Sequence, residues 1–166
     1  MWGSPTSPRK SDFRIKKITH TKKLPDASRL KVGIVCAAYN GDITRRLLQG
    51  AYAALAHCKV KKANIRVIEV PGSFEIPFGC RMLLEEKWYD AIITLGCIVK
   101  GETDHDVYIA TAVSHGIMEL SLHYGVPIGF GVLTVRNLAQ AKARATGDAN
   151  KGKETAFAAV QVALLQ

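Results

Sequence analysis

One histidine of the chain lies where it could move a proton beside a bound anion. His105 follows residues 100–103 (KGET), which come directly after the apolar run 90–99. We expect a helix to begin here with Thr103, because residues 103–106 fit a capping box. Backbone N–H groups at a helix start bind anions, and imidazole exchanges protons near neutral pH. The segment predicts proton transfer next to a phosphate; an ordinary solvent-facing histidine is the alternative.

A second segment combines rigidity with groups that can bind a ligand. Pro71 and Pro77 bracket a turn that carries Phe74 and Glu75, and Pro77 suits the first turn of a helix. Such a turn can direct backbone polar groups at a planar molecule, and Glu75 can accept hydrogen bonds from ligand hydroxyls. The turn therefore predicts a site for a flat, hydroxylated ligand, with a purely structural turn as the alternative.

Two further segments add an aromatic ring and a cation. Tyr39, next to Asn40, can stack on a flat ring, although packing alone would also explain it. Arg144 can bind phosphate through two parallel hydrogen bonds, which Lys151 cannot do; an exposed surface arginine is the alternative. Residues 137–140 (NLAQ) fit a second capping box, which predicts a helix start shortly before Arg144.

Several common chemistries are missing from the sequence. There is no phosphate-binding loop of the Walker A type, and residues 129–131 (GFG) do not complete a dinucleotide fingerprint. The five histidines show no metal-ligand spacing, so we expect no metal. One histidine, phosphate-binding features and a stacking aromatic suggest condensation or elimination on a phosphorylated small molecule.

The hydrophobic pattern predicts the elements that must position these residues. Short β-branched runs predict four strands, at residues 31–37, 65–70, 90–99 and 127–134. Helical spacing predicts helices around residues 43–55, 77–86, 109–120, 138–145 and 151–165. Alternating strands and helices give an α/β fold, a three-layer α/β/α sandwich with a mostly parallel, flavodoxin-like sheet. Ligands bind at the carboxyl ends of such strands, where all the segments above lie.

The chain combines a basic N-terminal segment with one domain. Its 166 residues favour one domain, which we place at residues 31–166. Residues 1–30 hold eight basic and two acidic residues, a surplus of six out of the formal +9. This arm is predicted to be flexible; a polyanion-binding tail, an organelle transit peptide and an extra N-terminal strand remain alternatives. Four cysteines without a CxxC motif and no apolar run of membrane-spanning length predict a reduced, cytoplasmic protein.

Taken in order, the motifs resemble the 6,7-dimethyl-8-ribityllumazine synthase family. The resemblance runs from about residue 31 to the C-terminus, and any single motif would be weak evidence without the others. It implies condensation of 5-amino-6-(D-ribitylamino)uracil with 3,4-dihydroxy-2-butanone 4-phosphate, without metal or cofactor. The motifs are residues 70–77, 89–91, 95–103 with His105, 130–134, 140–141, 144–145 and 150–152.

The resemblance also implies a role for each site residue. Tyr39 and Asn40 match the ring-stacking segment, Glu75 binds the ribityl hydroxyls, and His105 transfers protons. Sites in this family lie between the subunits of a pentamer, and a neighbouring subunit would supply the last three residues named here. The implied substrate-binding residues are Tyr39, Asn40, Gly72, Ser73, Phe74, Glu75, Ile76, Cys97, Ile98, Val99, Gly101, Glu102, Thr103, Phe130, Arg144 and Lys151.

The chain departs from the family pattern in four places. Ala38 replaces the usual arginine before the stacking aromatic, and Asp106 stands one position early after the histidine. Ala139 replaces the usual glutamate, and residues 144–150 look one residue short. Assembly as a pentamer, a decamer or a sixty-subunit icosahedral shell therefore stays open. Two other functions also stay open: a catalytically weakened structural or polyanion-binding assembly, and an archaeal-type riboflavin synthase with the same fold.

Overall fold

The structure is a computed structural model that describes residues 26–166. Most of the predicted basic arm and any extra N-terminal strand lie outside the described residues. The first described residues already belong to the packed body, since Ala27 is only 1% exposed. Its N–H donates to the carbonyl of Cys58 at 2.8 Å.

Four parallel strands form the sheet, as predicted. They are β1 (Val32–Ala37), β2 (Ile65–Val70), β3 (Ala91–Val99) and β4 (Ile128–Val135), in the order β2-β1-β3-β4. The two central strands, β1 and β3, are buried almost throughout, because helices cover both faces of a parallel sheet. This order confirms the flavodoxin-like α/β prediction.

Helices cover the sheet in two layers. On one face, α1 (Gly41–His57) and α5 (Lys151–Ala163) share a core cluster with Ile34 and Ile93. On the other, α2 (Ile76–Glu85) and α3 (His105–Tyr124) pack with Val35 and Ile92. Successive strand residues point to opposite faces, which explains why neighbours in the sequence serve different clusters. The three-layer sandwich is confirmed, and the remaining helix is α4 (Leu138–Arg144).

The two predicted capping boxes have different outcomes. At α4, Asn137 Oδ1 accepts from the N–H of Gln140 at 2.9 Å, as expected for an N-cap. At α3 the prediction is wrong, because the N-cap is Asp104 and it makes no side-chain cap bond. Thr103 lies one residue too early, so its hydroxyl accepts only a long 3.4 Å bond from the N–H of His105.

Close packing of α1 against α5 explains part of the 150–152 motif. A Cβ on Gly152 would lie 2.0 Å from the carbonyl oxygen of Leu47, so only glycine fits there. The buried Asn150 side chain donates to the carbonyls of Arg46 and Ala145 at 2.8 and 2.9 Å. It also accepts from the N–H of Lys153 at the start of α5. This motif therefore fixes the last helix on the first.

Candidate active site

A cavity of about 1030 Å³ opens at the carboxyl ends of the strands. It is large enough for a drug-sized ligand, and it brings together loops that are far apart in the sequence. Most of the predicted site residues line it: Tyr39, Asn40, Gly72, Ser73, Phe74, Glu75, Cys97, Ile98, Val99, Gly101, Thr103 and His105.

Asn40 joins the loop after β1 to the end of β3. Its backbone is left-handed, with φ 58° and ψ 41°, a conformation that asparagine tolerates better than most residues. Its side-chain Nδ2 donates to the carbonyl of Cys97 at 2.9 Å, and its own carbonyl accepts from the N–H of Ile43 at the start of α1. Asn40 therefore fixes both the helix start and one wall of the cavity.

The loop that carries Tyr39 is tied to the proline-bracketed turn. The N–H groups of Ala38 and Tyr39 donate to the carbonyls of Val70 and Pro71, at 2.8 and 3.0 Å. These bonds extend the pairing of β1 and β2 beyond the strands. The Tyr39 side chain itself is 73% exposed, so its ring is free to stack on a ligand in the cavity.

Glu75 shapes the turn in which it lies. One carboxylate oxygen, Oε2, accepts from the N–H of Gly72 at 2.9 Å, which leaves Oε1 to accept from a ligand. The turn sits tightly on β3, because a Cβ on Gly96 would lie 2.7 Å from Ser73 Oγ and 3.0 Å from Ile76 Cδ1. Ile76 is fully buried beneath the turn and does not line the cavity; it supports the turn from below.

His105 is the first residue of α3 and is exposed at the cavity wall. Gly101, four residues earlier, has open space around it, since a Cβ there would meet nothing within 4 Å. Glu102 is exposed and lies outside the cavity lining. Between Gly101 and His105 the chain therefore offers an open backbone segment next to an imidazole.

Sequence reasoning missed one face of α3. Tyr108, Ile109 and Ala112 line the cavity with His105, and these positions are i, i+3, i+4 and i+7 of a helix. Residues at this spacing share one helical face, so the spacing from His105 was a signal that could have identified them. The lining also includes Leu138 from the start of α4.

Asp106 also lines the cavity, and one of its carboxylate oxygens has no hydrogen-bond partner in the described chain. Its Oδ1 atom is buried and has no hydrogen-bond partner within residues 26–166. This oxygen therefore makes no hydrogen bond to the neighbouring His105. A buried acceptor without a donor is costly.

Cys97 lines the cavity without being a nucleophile. Burial raises the pKa of its thiol to about 11, because a thiolate is poorly solvated there. The thiolate is the reactive form of cysteine, so near neutral pH Cys97 is an inert neutral group.

Comparison with known proteins decides the family. The family model described as 6,7-dimethyl-8-ribityllumazine synthase matches residues 29–166. The chain belongs to the lumazine synthase family. It is also 46% identical, over 140 residues, to a protein of Parabacteroides distasonis named 6,7-dimethyl-8-ribityllumazine synthase. That similarity covers 84% of this chain and 88% of the relative.

Besides Ile76 and Glu102, three residues that the lumazine synthase resemblance implied are outside the cavity lining of their own chain. Phe130 lies on β4 and is 46% exposed. Arg144 ends α4, where its Nη1 donates to the carbonyl of Gln140 at 3.2 Å, and Lys151 begins α5 and pairs with Glu154 at 2.5 Å. The cavity of a single lumazine synthase chain therefore holds the turn at residues 72–75 and His105 but not these groups.

The described part of this lumazine synthase family member shows neither a metal centre nor a membrane-spanning helix. No group of three or more His, Cys, Asp or Glu side chains in residues 26–166 is arranged to hold a metal ion. No helix in the same residues is long and apolar enough to cross a bilayer.

Proposed function

We propose that the large cavity is the active site of this lumazine synthase family member. The enzyme condenses 5-amino-6-(D-ribitylamino)uracil with 3,4-dihydroxy-2-butanone 4-phosphate, giving 6,7-dimethyl-8-ribityllumazine, phosphate and water. This is the penultimate step of riboflavin biosynthesis. The observation that carries the assignment is that one cavity joins the exposed Tyr39 ring, the Gly72–Glu75 turn and His105.

The pyrimidine binds at the end of the cavity formed by β1, β2 and β3. Tyr39 stacks on the ring, and the free Oε1 of Glu75 accepts from ribityl hydroxyls. Support comes from the exposure of Tyr39 and from the bond that uses only one oxygen of Glu75. The end of β3 at Cys97 to Val99 contacts the ring edge, and Phe74 and Ser73 complete the turn around the ribityl chain.

The butanone phosphate binds at the start of α3. Backbone N–H groups between Gly101 and Thr103 point to the phosphate, where a helix N-terminus favours negative charge. The open space around Gly101 supports this assignment, because an anion needs close approach to the backbone. Arg144 of a neighbouring subunit adds its charge to the same phosphate, and Glu102 belongs to the loop that holds it.

His105 moves the protons that the reaction requires. The pyrimidine amine attacks the ketone of the butanone, and loss of water gives an imine. A proton then leaves carbon as the carbon–oxygen bond to phosphate breaks, and imidazole accepts that proton. Holding both substrates in one cavity supplies much of the rate through proximity.

The active form is proposed to be a homopentamer, alone or within a larger shell. Exposed apolar residues on α3, including Tyr108, Met118 and Leu122, support self-association. Phe130, Arg144 and Lys151 lie outside the cavity of their own chain, so we propose that each completes a neighbour's site. The four buried free cysteines support a cytoplasmic location. We propose that the basic arm predicted at residues 1–30 ends before Ala27, because Ala27 packs into the domain.

A direct assay tests the proposed function. Purified protein mixed with both substrates should produce lumazine absorbance and fluorescence, whereas either substrate alone should not. His105→Ala from a matched preparation serves as the catalytic control. No product at any pH between about 6 and 8, the range in which imidazole titrates, would reject the proposal. Riboflavin formation from supplied lumazine alone would instead favour the archaeal-type riboflavin synthase.

A further inference from the structure

A second cavity, of about 410 Å³, adjoins the proposed active site. Ile98 and Asp106 line both cavities, so these two side chains form a shared wall. Lys100, Arg136 and Gln140 also line the second cavity, but they are absent from the lining of the first. The sequence analysis gave none of these three residues a role in binding a ligand.

The second cavity carries two cations without counter-ions. Neither Lys100 nor Arg136 forms an ion pair with any residue of the described chain. Gln140 adds a donor, because its Oε1 already accepts from the backbone N–H of Arg136 at 2.9 Å and its amide nitrogen remains. Two positive charges and an amide donor are a set that favours a small anion.

Asp106 decides which anion the second cavity can hold. A carboxylate repels an anion that carries no proton, but it accepts a hydrogen bond from an anion that has a hydroxyl group. The Oδ1 atom is buried without a partner, and the terminal torsion of aspartate is soft, so rotation can bring either oxygen to the cavity. The wall therefore selects an anion that is also a hydrogen-bond donor.

We propose that the second cavity binds orthophosphate, the product of the reaction, with Asp106 accepting the P–OH hydrogen bond. This inference rests on the proposed function, which releases phosphate next to the shared wall. At about pH 8 a phosphate monoester such as the substrate is a dianion without a proton, since its second pKa is near 6. Orthophosphate keeps a hydroxyl at this pH. The site thus accepts the product and rejects the substrate.

Equilibrium binding of radiolabelled orthophosphate tests the proposal, using the native assembly at pH 8 without organic substrates. The wild-type protein should bind phosphate in both cavities. The double variant Lys100→Gln, Arg136→Gln should lose the second site alone, and Arg144→Ala should weaken the first alone. If the double variant binds as much phosphate as the wild type, the second site does not exist.

Sulfate, which carries no proton at this pH, tests the role of Asp106. It should compete with phosphate at the first cavity but weakly at the second. Asp106→Asn replaces a repelling oxygen by a donor and should strengthen sulfate competition at the second cavity about tenfold, the order expected for one hydrogen bond to a charged group. Equal competition at both cavities of the wild type would overturn the selection by Asp106.

Lumazine formation measured on the same preparations separates the two proposals. Phosphate binding in both cavities without lumazine formation would reject the proposed reaction and leave the phosphate site standing. Lumazine formation with phosphate bound only in the first cavity would reject the second site and leave the reaction standing.

Discussion

Asn40 and Cys97 are joined by a 2.9 Å hydrogen bond between a side-chain amide and a backbone carbonyl. The bond spans 57 positions of sequence and fastens the Tyr39 loop to the end of the central strand β3. It holds an asparagine in a left-handed conformation, with φ 58°. The position of the proposed stacking ring therefore depends on one polar contact.

Asn40→Gly isolates that contact from backbone strain. Glycine adopts a left-handed conformation freely, so the variant loses the hydrogen bond alone, and we expect a stability loss of about 1 kcal/mol. Without the bond the Tyr39 loop loosens, so the KM for the pyrimidine should rise severalfold. Denaturant unfolding and steady-state kinetics measure the two effects.

Asn40→Ala is the matched control, because it also strains the backbone. It should cost about 1 to 2 kcal/mol more than Asn40→Gly. The KM for butanone phosphate should change little in either variant, since we place that substrate at the start of α3. An equal rise in both KM values would show that the bond supports the whole fold and not the ring site.

The parts of this fold that follow local patterns could be predicted from the sequence. The strands follow from the hydrophobic period, and the start of α4 follows from an N-cap side chain. Each of these signals lies within a few residues of sequence. The start of α3 could not be predicted in detail. Thr103 fits a capping box by spacing, but the helix begins one residue later, at His105 after the N-cap Asp104. Boundaries of this kind depend on the tertiary path of the loop.

The same distinction between local sequence patterns and tertiary packing applies to the proposed site. The turn at residues 72–75 and His105 were identified from residue type and order, and they line one cavity. The unpaired state of Asp106 was not predictable, because it depends on what surrounds the side chain after packing. The positions of Phe130 and Arg144 follow from the fold of one chain, whereas their proposed roles depend on contacts between chains.

His105 and Arg144 should affect different kinetic parameters. We expect His105→Ala to lower kcat by about 100-fold or more, the usual contribution of a positioned general acid–base group, with little change in either KM. Arg144→Ala should mainly raise the KM for butanone phosphate, because it removes charge from the phosphate site. Initial rates with each substrate varied in turn measure the split.

The activity of mixed assemblies tests which subunit supplies Arg144 to a given site. If the residue acts on a neighbour's site, mixing Arg144→Ala and His105→Ala chains should restore some activity, because some sites then have both groups intact. The absence of any recovery, in mixtures shown by native mass to contain both chains, would place Arg144 in its own chain's site.

Gly152→Ala tests the packing of α5 on α1. The added Cβ would lie 2.0 Å from the Leu47 carbonyl oxygen, so the helices must separate, and we expect a loss of about 2 to 4 kcal/mol. Gly101→Ala is the matched control, since its Cβ would meet nothing within 4 Å. It should leave the unfolding midpoint nearly unchanged. Equal midpoints for both variants would contradict the close approach of α5.

Gly101→Ala has a second use in the activity assay. The methyl group should obstruct the phosphate that we place against this backbone, so the KM for butanone phosphate should rise while stability is kept. A variant with unchanged kinetics would move the phosphate away from Gly101.

Cys80 should make stability fall in alkaline solution. Burial raises the pKa of its thiol from 9.0 to about 12, so the folded protein keeps the proton where the unfolded chain loses it. Below pH 9 the thiol is neutral in both states and its contribution is complete. Above that pH the unfolding free energy should fall by about 1.4 kcal/mol per pH unit for this thiol.

Cys80→Ala should remove that part of the slope, as measured by denaturant unfolding between about pH 8 and 11. Leu83→Ala, a buried neighbour in the same cluster, should lower stability at every pH without changing the slope. Equal slopes in Cys80→Ala and the wild type would show that this thiol does not control the alkaline loss.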